Sequence, residues 1–123
     1  MKLEAVSEVL QGQILAGAGR LELEIDRAYA VDLLSDVLAL TDEQTTLITG
    51  NTSPQVIRVA EILSVVAIIF VRGKRPTEST ESYAEHLGIP IISTAKTMFE
   101  ACGVLYAHGV GPCKNRPMTN TSD

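Results

Sequence analysis

Tryptophan is absent, and aromatic residues make up only 4% of the chain. The core must therefore be assembled from Ile, Leu, Val and Ala. Cysteine is scarce too: Cys102 and Cys113 are the only two. That is too few for the disulfide framework of a small secreted domain. Basic residues are outnumbered, with 10 Lys and Arg against 15 Asp and Glu, for a net charge of -5. Non-specific nucleic-acid binding needs a basic surface, so it is excluded. No apolar run approaches the roughly 20 residues needed to span a bilayer. The longest, Val65 to Val71, is strand-sized. Met1-Lys2-Leu3-Glu4 lacks the apolar region of a signal peptide. The expectation is a cytoplasmic protein with no membrane contact.

What is present suits one globular unit. The chain has 123 residues, 46% of them hydrophobic. A domain of this size buries about two-thirds of its unfolded surface, enough for a real core. The sequence places that domain at residues 1–111 and a polar, flexible tail at 112–123, which holds two of the five prolines.

Leu3, Val6 and Leu10 repeat at helical spacing, with Gly12 as a stop. Gln13 to Ala16 can form a short strand. Leu21, Leu23 and Ile25 alternate with Glu22, Glu24 and Asp26, the pattern of a half-buried or edge strand. Ala28 to Val31 can continue it, and Asp32 to Leu40 is ambiguous. From Thr45 the pattern sharpens. Thr46 to Thr49 reads as a strand. Ser53 and Pro54 then open a helix faced by Val56, Val59, Ala60 and Leu63. Val65 to Val71 reads as a strand covered on both faces. Thr77 caps a helix that Gly88 ends, Ile89 to Ile92 is a strand, and Thr94 is placed as the cap of a last helix. That helix is faced by Ala95, Met98, Phe99, Cys102 and Leu105 and ends near His108-Gly109.

Alternating strand and helix implies parallel strands joined by right-handed crossovers. The expected fold is therefore α/β: a single compact domain with a mostly parallel sheet and flanking helices. Three polar loops then converge on the C-terminal edge of the sheet, where such folds bind ligands. They are Gly50-Asn51-Thr52-Ser53-Pro54, Arg72-Gly73-Lys74-Arg75-Pro76 and Ser93-Thr94.

In the first loop, Gly50 allows close approach and the next helix offers N–H groups to an anion. Asn51, Thr52 and Ser53 can add hydrogen bonds. Ordinary capping by Ser53 is the competing explanation. It is not a Walker A loop, because Gly-Lys-[Ser/Thr] is missing. In the second, Arg72, Lys74 and Arg75 place three of the ten cations around Gly73. Such a cluster can hold phosphate or carboxylate, or simply balance Glu78 and Glu81. Thr94 can contact a ligand or only cap. Cys102 reads as core and Cys113, near His108 and Lys114, as tail. Neither has zinc-site spacing. No nucleophile–base pair or pKa-raising carboxylate pair stands out. Catalytic residues, metal and cofactor are all expected to be absent.

These features sit in a chain that resembles the DRTGG domain family. The resemblance runs through Leu3 to Leu10, Leu47-Ile48-Thr49-Gly50, Ala67-Ile68-Ile69-Phe70, Gly88-Ile89-Pro90-Ile91-Ile92-Ser93-Thr94 and Met98-Phe99-Glu100-Ala101. The family is similar to the N-terminal domain of HPr kinase/phosphorylase and occurs beside CBS domains in regulated pyrophosphatases. The resemblance implies a small α/β regulatory module, commonly dimeric, without catalysis of its own. The signature residues differ here: Asn51-Thr52 and Val71-Arg72-Gly73 stand in their places, and only Gly73 is kept. Kinase activity is not implied, since the parts that cradle phosphate and hold metal are missing.

Three functions follow as expectations. One is a non-enzymatic sensor whose site at Gly50–Ser53 and Arg72–Arg75 takes a small anionic ligand such as a nucleotide. Another is an interaction module that forms a homodimer or docks on a partner enzyme, a hydrogenase-related one among the candidates. The last is an enzyme or assembly factor using Cys102 or Cys113.

Overall fold

The computed structural model of the chain describes residues 1–40 and 44–113. In chain order the elements are α1 (Leu3–Val9), β1 (Gln13–Ala16), a 3-10 turn (Ala18–Arg20), β2 (Arg27–Ala30), α2 (Leu34–Leu40) and β3 (Thr45–Thr49). Then come α3 (Pro54–Ile62), β4 (Ala67–Phe70), α4 (Glu78–Leu87), β5 (Ile91–Ser93), α5 (Met98–Ala107) and β6 (Gly111–Pro112). The strands form one six-stranded sheet in the order β1-β5-β4-β3-β2-β6. Every pairing is parallel except that of β1 with β5. The fold is thus a single α/β domain with a mostly parallel sheet flanked by helices.

Strand order explains which face each helix covers. From β2 to β5 the chain steps across the sheet in one direction, and α2, α3 and α4 share a face. After β5 it crosses back to β6, so a crossover of the same hand puts α5 on the other face. The apolar run in β4 shows why both faces are dry. Ile68 and Phe70 pack with Val56, Ile57, Ala60 and Ala84 beneath α3 and α4. Ala67, Ile69 and Val71 pack with Leu3, Val6, Leu10, Ala101 and Leu105 beneath α1 and α5. All five strand-region side chains have 0% exposure. Among the described residues no helix is long and apolar enough to cross a membrane.

The helix stops are chemically explicit. Thr77 Oγ1 accepts from the Thr80 N–H, and Gly88 (φ 75°) ends α4 in the left-handed conformation. α5 is capped by Thr97, not by Thr94 as the sequence pattern suggests. Thr97 Oγ1 accepts from the Glu100 N–H at 3.1 Å, and Glu100 Oε1 accepts from the Thr97 N–H at 2.8 Å. This is a reciprocal capping box. Thr94 lies too far upstream and is buried. The Thr97 hydrogen bonds hold the Glu100 carboxyl below the usual carboxylate range. A lowered folded pKa means this cap is complete above the unfolded carboxyl pKa and weakens as pH falls through the folded one. Thr97→Ala is expected to cost about 1 kcal/mol in urea denaturation. In acid the difference between the two proteins should shrink.

Other sequence expectations shift as well. Leu21 to Ile25 is not a sheet strand. It runs beside the N-terminus through one isolated bridge, Lys2 with Glu24. The Leu3 and Ile25 N–H groups donate to Leu23 and Met1 carbonyls at 2.8 and 2.7 Å. Its alternating burial serves this local pairing. Pro112, expected in the tail, pairs with Ala28 as its neighbour Gly111 does with Arg27, and Cys113, also expected there, is buried. The rest of the expected tail, 114–123, lies outside the described residues. Phe99, expected on the apolar face of α5, is 88% exposed.

Candidate functional site

β3 and β4 are neighbours in register, with Thr49 opposite Phe70. Their outgoing loops, 50–53 and 72–76, therefore leave the same edge side by side. The two loops touch: Gly50 lies against the Arg72 guanidinium, so close that a Cβ at position 50 would sit 2.5 Å from Nη2. Glycine is what allows the cation to lie over the loop backbone.

A third strand end completes the cluster. Asp32, two residues beyond β2, accepts at one carboxylate oxygen from the Gly50 N–H (2.7 Å) and the Thr49 hydroxyl (3.1 Å). Asn51 Nδ2 donates to the Asp32 carbonyl at 3.1 Å. Asn51 Oδ1 accepts from the Ser53 N–H, and Thr49 Oγ1 from the Asn51 N–H, both at 3.0 Å. The polar atoms of Asp32, Thr49 and Asn51 thus fix the loop's shape. Asp32→Ala is expected to cost about 1–2 kcal/mol by denaturation, because it removes an ionised acceptor from two donors. Asp32→Asn keeps an acceptor and should cost less.

Ser53 occupies the N-cap of α3 but makes no side-chain capping bond. Its hydroxyl and the first turn of α3 remain open to an anion, unlike the capped starts of α4 and α5. Thr52, between Asn51 and Ser53 in the chain, is half-buried.

The basic loop is held in an uncommon shape. Arg72 (φ 59°) and Gly73 (φ 70°) are both left-handed, a conformation few non-glycine residues adopt. Their N–H groups donate to the Lys96 and Thr94 carbonyls at 2.8 Å each, and the Lys74 N–H to Val71 at 3.0 Å. Ser93 Oγ donates to the Lys74 carbonyl at 2.8 Å. The 93–96 segment therefore acts as a backbone brace that aims Arg72 and Lys74 outward; both are exposed.

Two sequence candidates have other duties. Thr94 is 2% exposed. Its hydroxyl donates to the Leu10 carbonyl at 2.7 Å and accepts from the Lys96 N–H at 3.2 Å. Arg75 forks onto Glu81, with Nε–Oε2 2.8 Å and Nη2–Oε1 3.3 Å. This pair raises the Arg75 pKa. The structure thus brings Gly50, Asn51, Thr52, Ser53, Arg72, Gly73 and Lys74 together. Thr94 braces them from below, and Arg75 turns to α4. Asp32 is the residue that sequence reasoning misses. Its one signal is a carboxylate just past a strand end.

The cysteines stand apart. Cys102 is half-buried on α5, and burial pushes its thiol pKa up. That disfavours the thiolate a nucleophile needs. Among the described residues, no group of three or more His, Cys, Asp and Glu side chains is placed to hold a metal.

No protein-family model matches this chain, and no curated protein matches it. A solved structure does. It is the crystal structure of the CBS and DRTGG domains of the regulatory region of Clostridium perfringens pyrophosphatase, complexed with its activator diadenosine tetraphosphate. The TM-score is 0.73 at 15% sequence identity, covering 98% of this chain and 52% of that one. This chain therefore spans about half the length of its structural neighbour. At that identity the likeness is one of fold: the architecture described above is similar to that of a CBS- and DRTGG-containing regulatory region.

Proposed function

We propose that this domain is a non-enzymatic regulatory module that senses a small anionic ligand at the 50–53 and 72–74 loops. The observation that carries this reading is the Arg72 guanidinium laid over Gly50 beside the uncapped start of α3. Arg72 and Lys74 supply charge, and Thr52 and Ser53 supply hydroxyls. The internal bonds of Asp32 and Asn51 keep the loop in its binding shape, which lowers the ordering cost of binding. A regulatory region with an activator bound, as in the pyrophosphatase neighbour, supports the same type of role. A thermal-shift screen against inorganic phosphate, pyrophosphate and nucleotides tests it. Ligand at a hundred times its Kd should add about 2.7 kcal/mol of stability. A flat screen on folded protein would count against the reading.

One feature favours a second reading, in which the domain pairs with another copy or with a partner enzyme. α5 exposes Phe99 (88%) and Tyr106 (75%). Tyr106 also borders an apolar cleft of about 170 Å³ with Cys102, Leu105, Ala28 and Ala30. Exposed aromatics beside an apolar cleft are typical of protein contact surfaces. Sedimentation of the wild type and of Phe99→Asp distinguishes the two readings. Association that this change abolishes supports pairing, and a monomeric wild type argues against self-pairing.

A further inference from the structure

The helices that follow the two site loops flank an open cleft of about 270 Å³, lined by Pro54, Arg58, Ser79, Thr80 and Tyr83. Pro54 is the residue after Ser53, so the cleft begins where the proposed anion site ends. Its far wall is the first half of α4, reached from Arg75 through the cap Thr77.

The lining has a distinct chemistry. It contains one cation, one aromatic ring and the hydroxyls of Ser79, Thr80 and Tyr83, and no carboxylate, on a chain whose net charge is -5. Arg58 is exposed and Tyr83 is 39% exposed. Thr80 is buried and bonded to Thr77, and the Ser79 hydroxyl also meets Thr77 Oγ1 at 3.2 Å, which leaves the ring and the guanidinium facing an occupant. Whole-ligand pockets usually measure about 300–1,000 Å³. A cleft of this size suits part of a ligand whose remainder lies elsewhere.

We infer that the cleft holds the planar ring of the ligand, which makes the ligand a nucleoside phosphate or a similar ring-bearing phosphate ester. This rests on the anion-sensing reading above. The phosphate lies at Arg72, Lys74 and the start of α3. The ring stacks on Tyr83, and Arg58 contacts either the ring face or a second phosphate.

Calorimetric titration of the full chain with ADP, GDP and inorganic pyrophosphate tests this. All three carry a diphosphate, and only the nucleotides carry a ring. The better nucleotide should bind roughly 5- to 150-fold tighter than pyrophosphate, the range of base-on-aromatic stacking. Tyr83→Ala should erase that gain and leave pyrophosphate binding unchanged, while Tyr83→Phe should keep it. Tyr83 is partly exposed, so neither change threatens folding. If pyrophosphate binds as tightly as both nucleotides, or if Tyr83→Ala leaves the nucleotide preference intact, the ring site is overturned and the anion site stands. If none of the three binds, the anion-sensing reading falls and the ring site with it.

Discussion

Arg72→Ala is expected to weaken binding of a phosphate-bearing ligand by about 10- to 150-fold, the worth of one charge-assisted contact of about 1.5–3 kcal/mol. Unliganded stability should change by less than about 0.5 kcal/mol, since the guanidinium is exposed and the substitution keeps a Cβ at this left-handed position. Two companion variants show that position matters as well as charge. Gly50→Ala puts a methyl 2.5 Å from Arg72 Nη2. It should swing the guanidinium away and weaken binding in a folded protein. Arg75→Ala breaks the pair with Glu81, an exposed interaction that contributes little, and should leave binding nearly intact. Calorimetry on the three proteins checks the pattern. Equal loss in Arg72→Ala and Arg75→Ala would mean that the loop acts as diffuse charge, with no formed site.

Phe70→Ala should produce the largest loss of stability, about 3–5 kcal/mol by urea denaturation. Phe70 has 0% exposure and sits on a central strand between β3 and β5. It is one of only two phenylalanines, and its side chain belongs to the cluster formed with α3 and α4. The aliphatic neighbours cannot refill so large a void, because protein interiors are close-packed and relax only in part. Total stability of a domain is only about 5–15 kcal/mol, so this variant should be near its folding threshold. The site should suffer too: the Phe70 carbonyl accepts from the Thr94 N–H at 2.9 Å, which ties the brace to β4. A loss below about 1 kcal/mol would contradict the packing described here.

The central repeat is legible in the sequence because strands buried on both faces leave a continuous apolar signature. Ile68 and Ile69 need no polar side, so the 65–71 run stands out. Thr77 and Gly88 mark α4 by the same local chemistry that caps it in the fold. Signals fail where the deciding partner is distant in the chain. The alternation of Leu21, Leu23 and Ile25 reports which side is buried, but not that the cover is the N-terminus. β1 runs antiparallel to β5 across a long separation, for instance Gln13 with Ser93, eighty residues apart, and no local pattern encodes that choice. Phe99 is misplaced because one hydrophobic residue on a short helix does not fix the helix's rotation.

The site divides in the same way. Gly50 and Arg72 are legible as loop residues at strand ends, and the parallel order of β3 and β4 puts them in contact. Asp32 is not legible, because its role requires β2 to lie beside β3. Thr94 and Arg75 look like ligand residues in sequence. The Leu10 carbonyl and the Glu81 carboxylate, their actual partners, become visible only in the fold. For Thr94 the sequence also offers the right answer nearby: Thr97 and Glu100 have capping-box spacing.

The central claim is that the 50–53 and 72–74 loops form one anion site. The most direct measurement is a two-dimensional amide NMR titration of the labelled domain with inorganic pyrophosphate. The account predicts saturable shifts concentrated at Gly50, Asn51, Thr52, Ser53, Arg72, Gly73 and Lys74, moved to much higher ligand concentration in Arg72→Ala. Shifts centred on α5 around Phe99 and Tyr106, or none at saturating anion, would contradict it.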